Sequence, residues 1–246
     1  MLTKRLFAAL LAVALIAGAA GAAFAQGLVD ERTRREALQA FQDGQEFMSA
    51  EQFDKAADAF TKAVTSDPLF TLAHYQLGQA YMNLHRYASA IKAFSDCIEA
   101  ARNVYSLGES SRFDIEKRRT DEITAMRQYI QDLQRSGHAL LATAAEAQLN
   151  NLEGKRTSLS GEFHPPAEAL LSLGSAHFRN GDREQAEAEW RAATEVNPKF
   201  GQAWNNLAAA YLQDGRKADA QAAVKAAEKS GYRVNPQMKK DIDAMK

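Results

Sequence analysis

Cysteine is almost missing from this chain, since Cys97 is the only one among 246 residues. A single cysteine cannot form a disulfide within the chain. Packing alone must therefore hold the fold together, even in an oxidising compartment. We expect Cys97 to be a small buried residue rather than a redox site.

An excess of charge of one sign is missing as well. Lys and Arg together number 30 and Asp and Glu 31, which gives a formal net charge of -1. Nucleic-acid-binding domains carry clustered positive charge, and this balance provides none. No nucleic-acid partner is predicted.

Catalytic and metal-binding motifs are also missing. The five histidines are scattered and form no His-x-x-x-His helical pair: His74, His85, His138, His164 and His177. Neither a glycine-rich phosphate loop nor a strand-embedded serine elbow occurs. The many Asp and Glu residues lie in amphipathic patterns, where they usually form the solvated face of a helix. We therefore predict a non-enzymatic protein with no cofactor and no metal site.

The first 25 residues have the pattern of a secretory signal peptide. Lys4 and Arg5 provide the positive start, residues 6–20 the apolar stretch, and residues 23–25 a small-x-small cleavage site. The alternative is an uncleaved membrane anchor, but a spanning helix needs roughly 20 apolar residues. Cleavage is favoured, and it removes two positive charges and no acid, so the net charge moves from -1 to -3. We expect an exported protein, periplasmic or secreted, with no stable membrane span after cleavage.

The sequence repeats at a period of 34 residues. Gly44 and Gly78 are separated by this interval, and so are Phe60 and Phe94. The interval returns later in the pairs Gly174 and Ala208, Ala186 and Ala220, and Trp190 and Val224. Small and large residues at fixed offsets of this length are typical of stacked helical hairpins that share one continuous core.

These positions match the signature of the tetratricopeptide repeat, W-x-x-L-G-x-x-Y followed by A-x-x-x-F, an alanine and a proline. The last unit supplies Trp204, Leu207, Ala208, Tyr211, Ala220, Val224 and Ala227. The chain resembles this family over four units, 37–70, 71–104, 167–200 and 201–234. The resemblance implies an all-α fold, a right-handed α-solenoid of helical hairpins, with residues 235–246 as a capping helix.

Two details of the pattern concern local packing. Asp67, Asn197 and Asn235 each precede a proline, which predicts a capping side chain followed by a proline suited to the first helical turn, with helix pairs over 37–66, 70–102, 165–196 and 199–230. Asp43 departs from the repeat, which has an apolar residue there. We therefore expect the first unit to pack loosely on its outer side.

Residues 105–166 match no repeat and separate the predicted blocks 26–104 and 167–234. The charged segment 112–135 has one narrow apolar seam, and after Gly137 a second apolar stripe follows. The seam consists of Ile123, Met126, Ile130 and Leu133. This pattern predicts a long antiparallel helical hairpin, followed by a flexible loop over 154–166.

The predicted hairpin has two possible places. It could lie between the two blocks as an atypical third unit, or it could project and pair with another chain as a short coiled coil. The seam spans about two heptads, fewer than the three to four that an independent coiled coil needs. That length favours the hairpin between the blocks.

The family resemblance implies that the first helix of each unit lines a concave groove. By register, the groove residues are Phe41, Gln45, Met48, Tyr75, Gln79, Met82, Leu171, Phe178, Asn205 and Leu212. Aromatic and Met side chains interleaved with amides suit an extended or helical peptide. The alternative for any one of them is packing between repeats. Some relatives grip carboxylates with paired Lys and Asn, but Phe41 and Tyr75 stand at the lysine positions here, so an apolar or amide-bonding ligand is expected.

Two functions fit these observations. The first is an exported scaffold or adaptor that binds a protein or peptide partner in its groove. The second is a structural envelope component that self-associates through the hairpin, as a homo-oligomer. The sequence names no partner.

Overall fold

The computed structural model describes residues 28–108, 111–154 and 162–245. Within these ranges the chain forms eleven α-helices and no β-strand. In chain order they are α1 (Glu31–Ser49), α2 (Phe53–Ser66), α3 (Thr71–Asn83), α4 (Tyr87–Ser106), α5 (Arg112–Arg135), α6 (Ala139–Gly154), α7 (Ala167–Asn180), α8 (Arg183–Val196), α9 (Gly201–Gln213), α10 (Lys217–Lys229) and α11 (Pro236–Ala244). The predicted all-α fold is confirmed. The predicted signal peptide (1–25) and the centre of the predicted loop (155–161) lie outside the described residues.

The predicted capping side chains before proline are right once and wrong twice. Asn235 caps α11, because its Oδ1 accepts from the backbone N–H of Gln237 at 2.8 Å. Asp67 and Asn197 instead end the preceding helices α2 and α8, and each accepts from the backbone N–H two residues later. The intervening turns delay α3 and α9 until Thr71 and Gly201. A side chain that closes a turn on its own backbone competes with a helix N-terminus, and the turn prevails at both positions.

The described chain divides into two compact units. Of the described residues, the first takes in 28–73, 103–108 and 111–154. The second takes in 74–102 and 162–245. The first unit therefore holds α1, α2, α5 and α6, and the second holds most of α3 and α4 together with α7 to α11.

In the second unit the repeat helices pack at the predicted small-residue positions. A Cβ added to Gly78 would lie 2.5 Å from Cε1 of Phe94, and one added to Gly174 would lie 2.7 Å from Cδ1 of Trp190. Both contacts are closer than real Cβ atoms approach other atoms, so glycine lets the paired helices meet there. Cys97 is 2 % exposed, as expected for a small residue between helices.

The second repeat packs directly against the third. Ala90 and Phe94 of α4 share a core cluster with Leu173 and Ala176 of α7. The favoured placement of the hairpin between these repeats is therefore wrong. A second cluster continues through α7 to α10 and ends on Ile242 of the capping helix.

The hairpin instead packs within the first unit, where α5 lies against α1 and α6. The seam residues Met126, Ile130 and Leu133 are buried there, at 0 %, 6 % and 0 % exposure. The alternative, a projecting hairpin with an exposed seam, is therefore wrong as well. Helix α5 also brings two charged residues, Arg118 and Glu122, against the first repeat, and both are buried.

Candidate partner-binding surfaces

Three polar side chains connect α3 with α7 in the second unit. The Tyr75 hydroxyl and Ser172 Oγ lie 3.2 Å apart. Gln79 Nε2 donates to the Tyr75 hydroxyl at 3.0 Å and to Ser172 Oγ at 3.3 Å. All three residues are half-buried. Hydroxyl and amide groups in this setting can exchange a mutual hydrogen bond for one to a peptide.

The same two helices carry two half-buried aromatic side chains, Tyr75 on α3 and Phe178 on α7. The Tyr75 ring lies 5.6 Å from that of Phe94, and the Phe178 ring lies 5.6 Å from that of Trp190. Tyr75 and Phe178 are half-buried, whereas Phe94 and Trp190 are buried. Each half-buried ring therefore packs against a buried ring and keeps part of its surface accessible. Rigid aromatic groups of this kind are common anchors in protein interfaces.

Met82, Asn205 and Leu212 are half-buried as well. Met82 packs on the α4–α7 cluster and Leu212 on the cluster that follows it. Asn205 lines an open cavity of about 510 Å³ beside the segment 232–236 and Met238. Six of the residues predicted in the second unit therefore keep accessible surface: Tyr75, Gln79, Met82, Phe178, Asn205 and Leu212.

Three predicted groove residues are buried instead. Leu171 is 8 % exposed in the second unit, and Phe41 and Gln45 are 0 % and 3 % exposed in the first. Phe41 packs its ring against Phe60 and Phe70, at 5.7 and 4.9 Å. Burial leaves Phe41 and Leu171 little or no surface for a partner, so packing explains both of them. Met48 remains half-buried near the end of α1.

The first unit holds a buried cluster of four charges that sequence reasoning missed. Arg34 donates from Nη1 to Asp67 Oδ2 at 2.5 Å and from Nη2 to Glu122 Oε1 at 3.0 Å. Arg118 donates from Nη2 to Asp67 Oδ2 at 2.7 Å. The guanidinium of Arg34 also lies 4.1 Å from the ring centroid of Phe70.

Arg118 and Glu122 stand four residues apart on a highly charged helix, a pattern usually typical of a solvated face. Only the contact between α1 and α5 shows that they are buried. Burial raises the pKa of the Glu122 carboxyl, against the opposing effect of Arg34 and Arg118. Two buried acids and two buried bases balance in charge, and their hydrogen bonds link α5 to α1 and to the end of α2.

The described residues include no group of three or more His, Cys, Asp or Glu side chains placed to hold a metal ion. In the same part of the chain, every helix is too short or too polar to cross a membrane.

Comparison with solved structures finds several helical-repeat proteins. The chain matches MamA at 21% sequence identity and a TM-score of 0.29, over 76% of this chain and 94% of that one. It matches PilW, titled a widely conserved type IV pilus biogenesis factor, at 16% identity and a TM-score of 0.37, over 85% and 82%. It matches YrrB, titled a TPR protein with an unusual peptide-binding site, at 17% identity and a TM-score of 0.27, over 81% and 89%.

Comparison with curated proteins finds no match. The family model described as tetratricopeptide repeat matches residues 41–103 and 171–233, which is just over half of the chain. Both matched ranges fall on the helix pairs whose Gly and aromatic positions meet in the structure. The chain belongs to the tetratricopeptide repeat family.

Proposed function

We propose that this protein is a non-enzymatic, exported scaffold that binds a protein or peptide partner on the inner helices of its second unit. The observation that carries the proposal is the Tyr75–Gln79–Ser172 group, in which half-buried polar side chains bond to one another and the Tyr75 ring packs on the buried ring of Phe94. A backbone segment of a partner can bond the amide and hydroxyl groups. Its apolar side chains can then cover the open parts of Tyr75 and Phe178.

The polar group also explains why a peptide suits this surface better than a purely apolar ligand. A covered hydroxyl or amide without a partner costs about 1–3 kcal/mol. Peptide N–H and C=O groups satisfy such side chains when the surface is covered. Tyr75, Gln79 and Ser172 already lie within hydrogen-bond distance of one another, so little ordering is needed before a peptide binds.

Export is part of the same proposal and rests on the sequence of residues 1–25. Intact-mass measurement on protein from its own host checks it. A mature chain beginning at Gln26 supports export with cleavage, and a chain that retains residues 1–25 contradicts it.

The binding surface is tested with the double variant Tyr75→Ala with Phe178→Ala. Loss of one aromatic anchor commonly weakens a complex by 2 kcal/mol or more, about thirtyfold. We expect partner capture from the envelope fraction to fall by at least that factor, with unchanged helical content by circular dichroism. A photo-crosslinking residue at Gln79 should trap the same partner.

The matched control removes two exposed apolar side chains of the first unit, in Phe113→Ala with Leu141→Ala, whose parent residues are 81 % and 40 % exposed. The control variant should capture the partner at the wild-type yield. Equal capture by both double variants, with no crosslink at Gln79, would contradict a site on these helices.

Self-association through the hairpin is the second candidate, and the exposure of Phe113 at the start of α5 favours it. Leu141, at 40 % exposure, lies near the start of α6. The two residues are therefore near opposite ends of an antiparallel pair and do not form one patch. Light scattering over a concentration series tests this candidate. A dimer that Phe113→Ser dissociates supports it, and a monomer at all concentrations contradicts it.

A further inference from the structure

Charged side chains are distributed unevenly between the two helices of the repeats in the second unit. The first helices α3 and α9, of 13 residues each, contain no Asp, Glu, Lys or Arg, although these four types make up 25% of the chain. The first helix α7 carries Glu168 and Arg179, one near each end. The second helix α8 carries six charged residues: Arg183, Glu184, Glu187, Glu189, Arg191 and Glu195. The charge of these repeats therefore lies mainly on their second helices.

Burial alone does not account for this distribution, because accessible residues of the first helices are uncharged too. Six half-buried residues, which we call the neutral surface, share this property: Tyr75, Gln79, Met82, Ser172, Phe178 and Leu212. The first helix of the first unit differs, since Glu31, Arg35, Asp43 and Glu46 of α1 are exposed or half-buried. The repeat thus tolerates charge at accessible positions, and its scarcity is a property of the second unit.

The ionisable groups of α7 lie at the ends of that helix. Glu168 lies in its first turn, and His177 and Arg179 lie in its last. The Arg179 guanidinium lies 5.9 Å from the ring centroid of Tyr87 on α4. His177 Nδ1 and Asp182 Oδ2 are 3.3 Å apart. The neutral surface itself therefore offers no counter-charge to a bound ligand.

A surface of this kind selects against charged ligands. When a partner covers it, a charged side chain of the partner leaves water without meeting an opposite charge, which is strongly unfavourable. The polar groups that remain accessible are neutral: the Gln79 amide and the hydroxyls of Tyr75 and Ser172. Groups of this kind can donate to a peptide C=O and accept from a peptide N–H.

The same groups favour an extended segment over a helix. In an α-helix the backbone N–H and C=O groups bond to one another, whereas in an extended segment they need partners outside the segment. We propose that the partner segment bound by the second unit is extended and carries no Asp, Glu, Lys or Arg where it lies on the neutral surface. This inference rests on the proposed function and states the class of peptide that the site takes.

Selection from a random decapeptide display library, with the purified protein as bait, tests the proposal. Peptides that the double variant Tyr75→Ala with Phe178→Ala also retains are background and are subtracted. In the remaining set, we expect charged residues to be at least about tenfold rarer at the central positions than in the input library. Retention should not weaken as salt is raised, because no exposed ion pair is formed.

A single added charge should shift the selection. Gln79→Glu keeps the size of the side chain and places a carboxylate on the neutral surface, where the Tyr75 and Ser172 hydroxyls can donate to it. Peptides retained by this variant should contain Lys or Arg at least about fivefold more often than those retained by the wild type, because the new carboxylate strengthens a hydrogen bond to a cation. The matched control, Gln185→Glu, makes the same change at an exposed position of α8 and should retain the wild-type set.

Circular dichroism verifies that each variant is folded, and the wild-type selection stays decisive should Gln79→Glu lose structure. Retained peptides rich in charged residues, lost with Tyr75→Ala and Phe178→Ala, would overturn this inference and leave the proposed function standing. An unchanged peptide set with a folded Gln79→Glu would also overturn it, because the segment would not lie against that residue. If the wild type retains no peptide beyond the background set, the proposed function fails, and this inference fails with it.

Discussion

Arg118 donates from Nη2 to both carboxylate oxygens of Asp67, at 2.9 and 2.7 Å, and so joins the hairpin helix α5 to the end of α2. The two residues lie 51 positions apart in the sequence, and their side chains are 9 % and 0 % exposed. A buried ion pair is not by itself a source of stability, since desolvation opposes the attraction. Removing one partner is costly, however, because it leaves the other charge buried and unpaired. This contact is therefore a sensitive test of where the hairpin docks.

Replacing Arg118 by Met should lower the free energy of unfolding by about 3–5 kcal/mol, the usual cost of breaking a buried pair. Hydrogen exchange should accelerate in α1 and α5, which the cluster holds together. The control is Arg127→Met on the same helix. Arg127 is 61 % exposed and pairs with Glu153 at 2.7 Å, so its loss should cost no more than about 1 kcal/mol. Equal effects of the two variants would contradict the buried cluster.

The stability of the first unit should depend on pH through the titration of Glu122. Burial raises the pKa of its carboxyl above the ordinary 4.5, although Arg34 and Arg118 act in the other direction. A raised pKa means that the folded state binds the proton more tightly than the unfolded chain. The Glu122 carboxyl therefore adds most to the free energy of unfolding below pH 4.5, and this stabilisation is lost as the pH rises through the raised pKa.

Glu122→Gln does not titrate and cannot lose that contribution. The unfolding free energy of the wild type, measured against this variant, should therefore decline as the pH rises from about 4 to 7. Urea unfolding at a series of pH values measures it, and Asp121→Asn on the same helix serves as the control. If the unfolding free energy of the wild type instead rises relative to the variant as the pH increases, Arg34 and Arg118 lower the pKa of Glu122 by more than burial raises it.

The repeat helices could be predicted from sequence, because each rests on local spacing. Gly78 opposite Phe94 and Gly174 opposite Trp190 recur at the same offset, and the structure places both pairs in contact. The spacing of apolar residues also predicted α5, α6 and the apolar seam that includes Met126.

The docking of the hairpin could not be predicted. It depends on contacts such as Arg118 to Asp67, which link residues far apart in sequence with no periodic signal. Three of the ten predicted groove residues share this limit, since register places Phe41, Gln45 and Leu171 on the first helices of their units but cannot show that they are buried.

The Gly78–Phe94 contact should show strong coupling in a double-mutant cycle. Gly78→Ala alone overpacks the contact and should cost about 1–3 kcal/mol. The fourth repeat has Ala208 and Val224 at the equivalent positions, both buried. A smaller partner thus accommodates the methyl group there.

Adding Phe94→Val to Gly78→Ala should therefore cost less than the sum of the two single changes. Coupling between contacting residues is typically about 0.5–3 kcal/mol. Urea unfolding of the wild type, both single variants and the double variant gives the coupling energy. Simple additivity would show that Phe94 moves aside without strain and that glycine is not required at this position.

The capping helix α11 should stabilise the second unit mainly through Ile242, which is 1 % exposed and belongs to the same core cluster as Trp190. Ile242→Ala removes buried methyl groups and leaves a cavity, at a cost of about 2–5 kcal/mol. Denaturant unfolding followed by tryptophan fluorescence measures it, because Trp190 and Trp204 both lie in this unit. Lys240→Ala, an exposed change on the same helix, should stay within about 0.5 kcal/mol of the wild type. A small effect of Ile242→Ala would mean that the last repeat is stable without its cap, and that α11 serves some purpose other than covering the apolar end of the array.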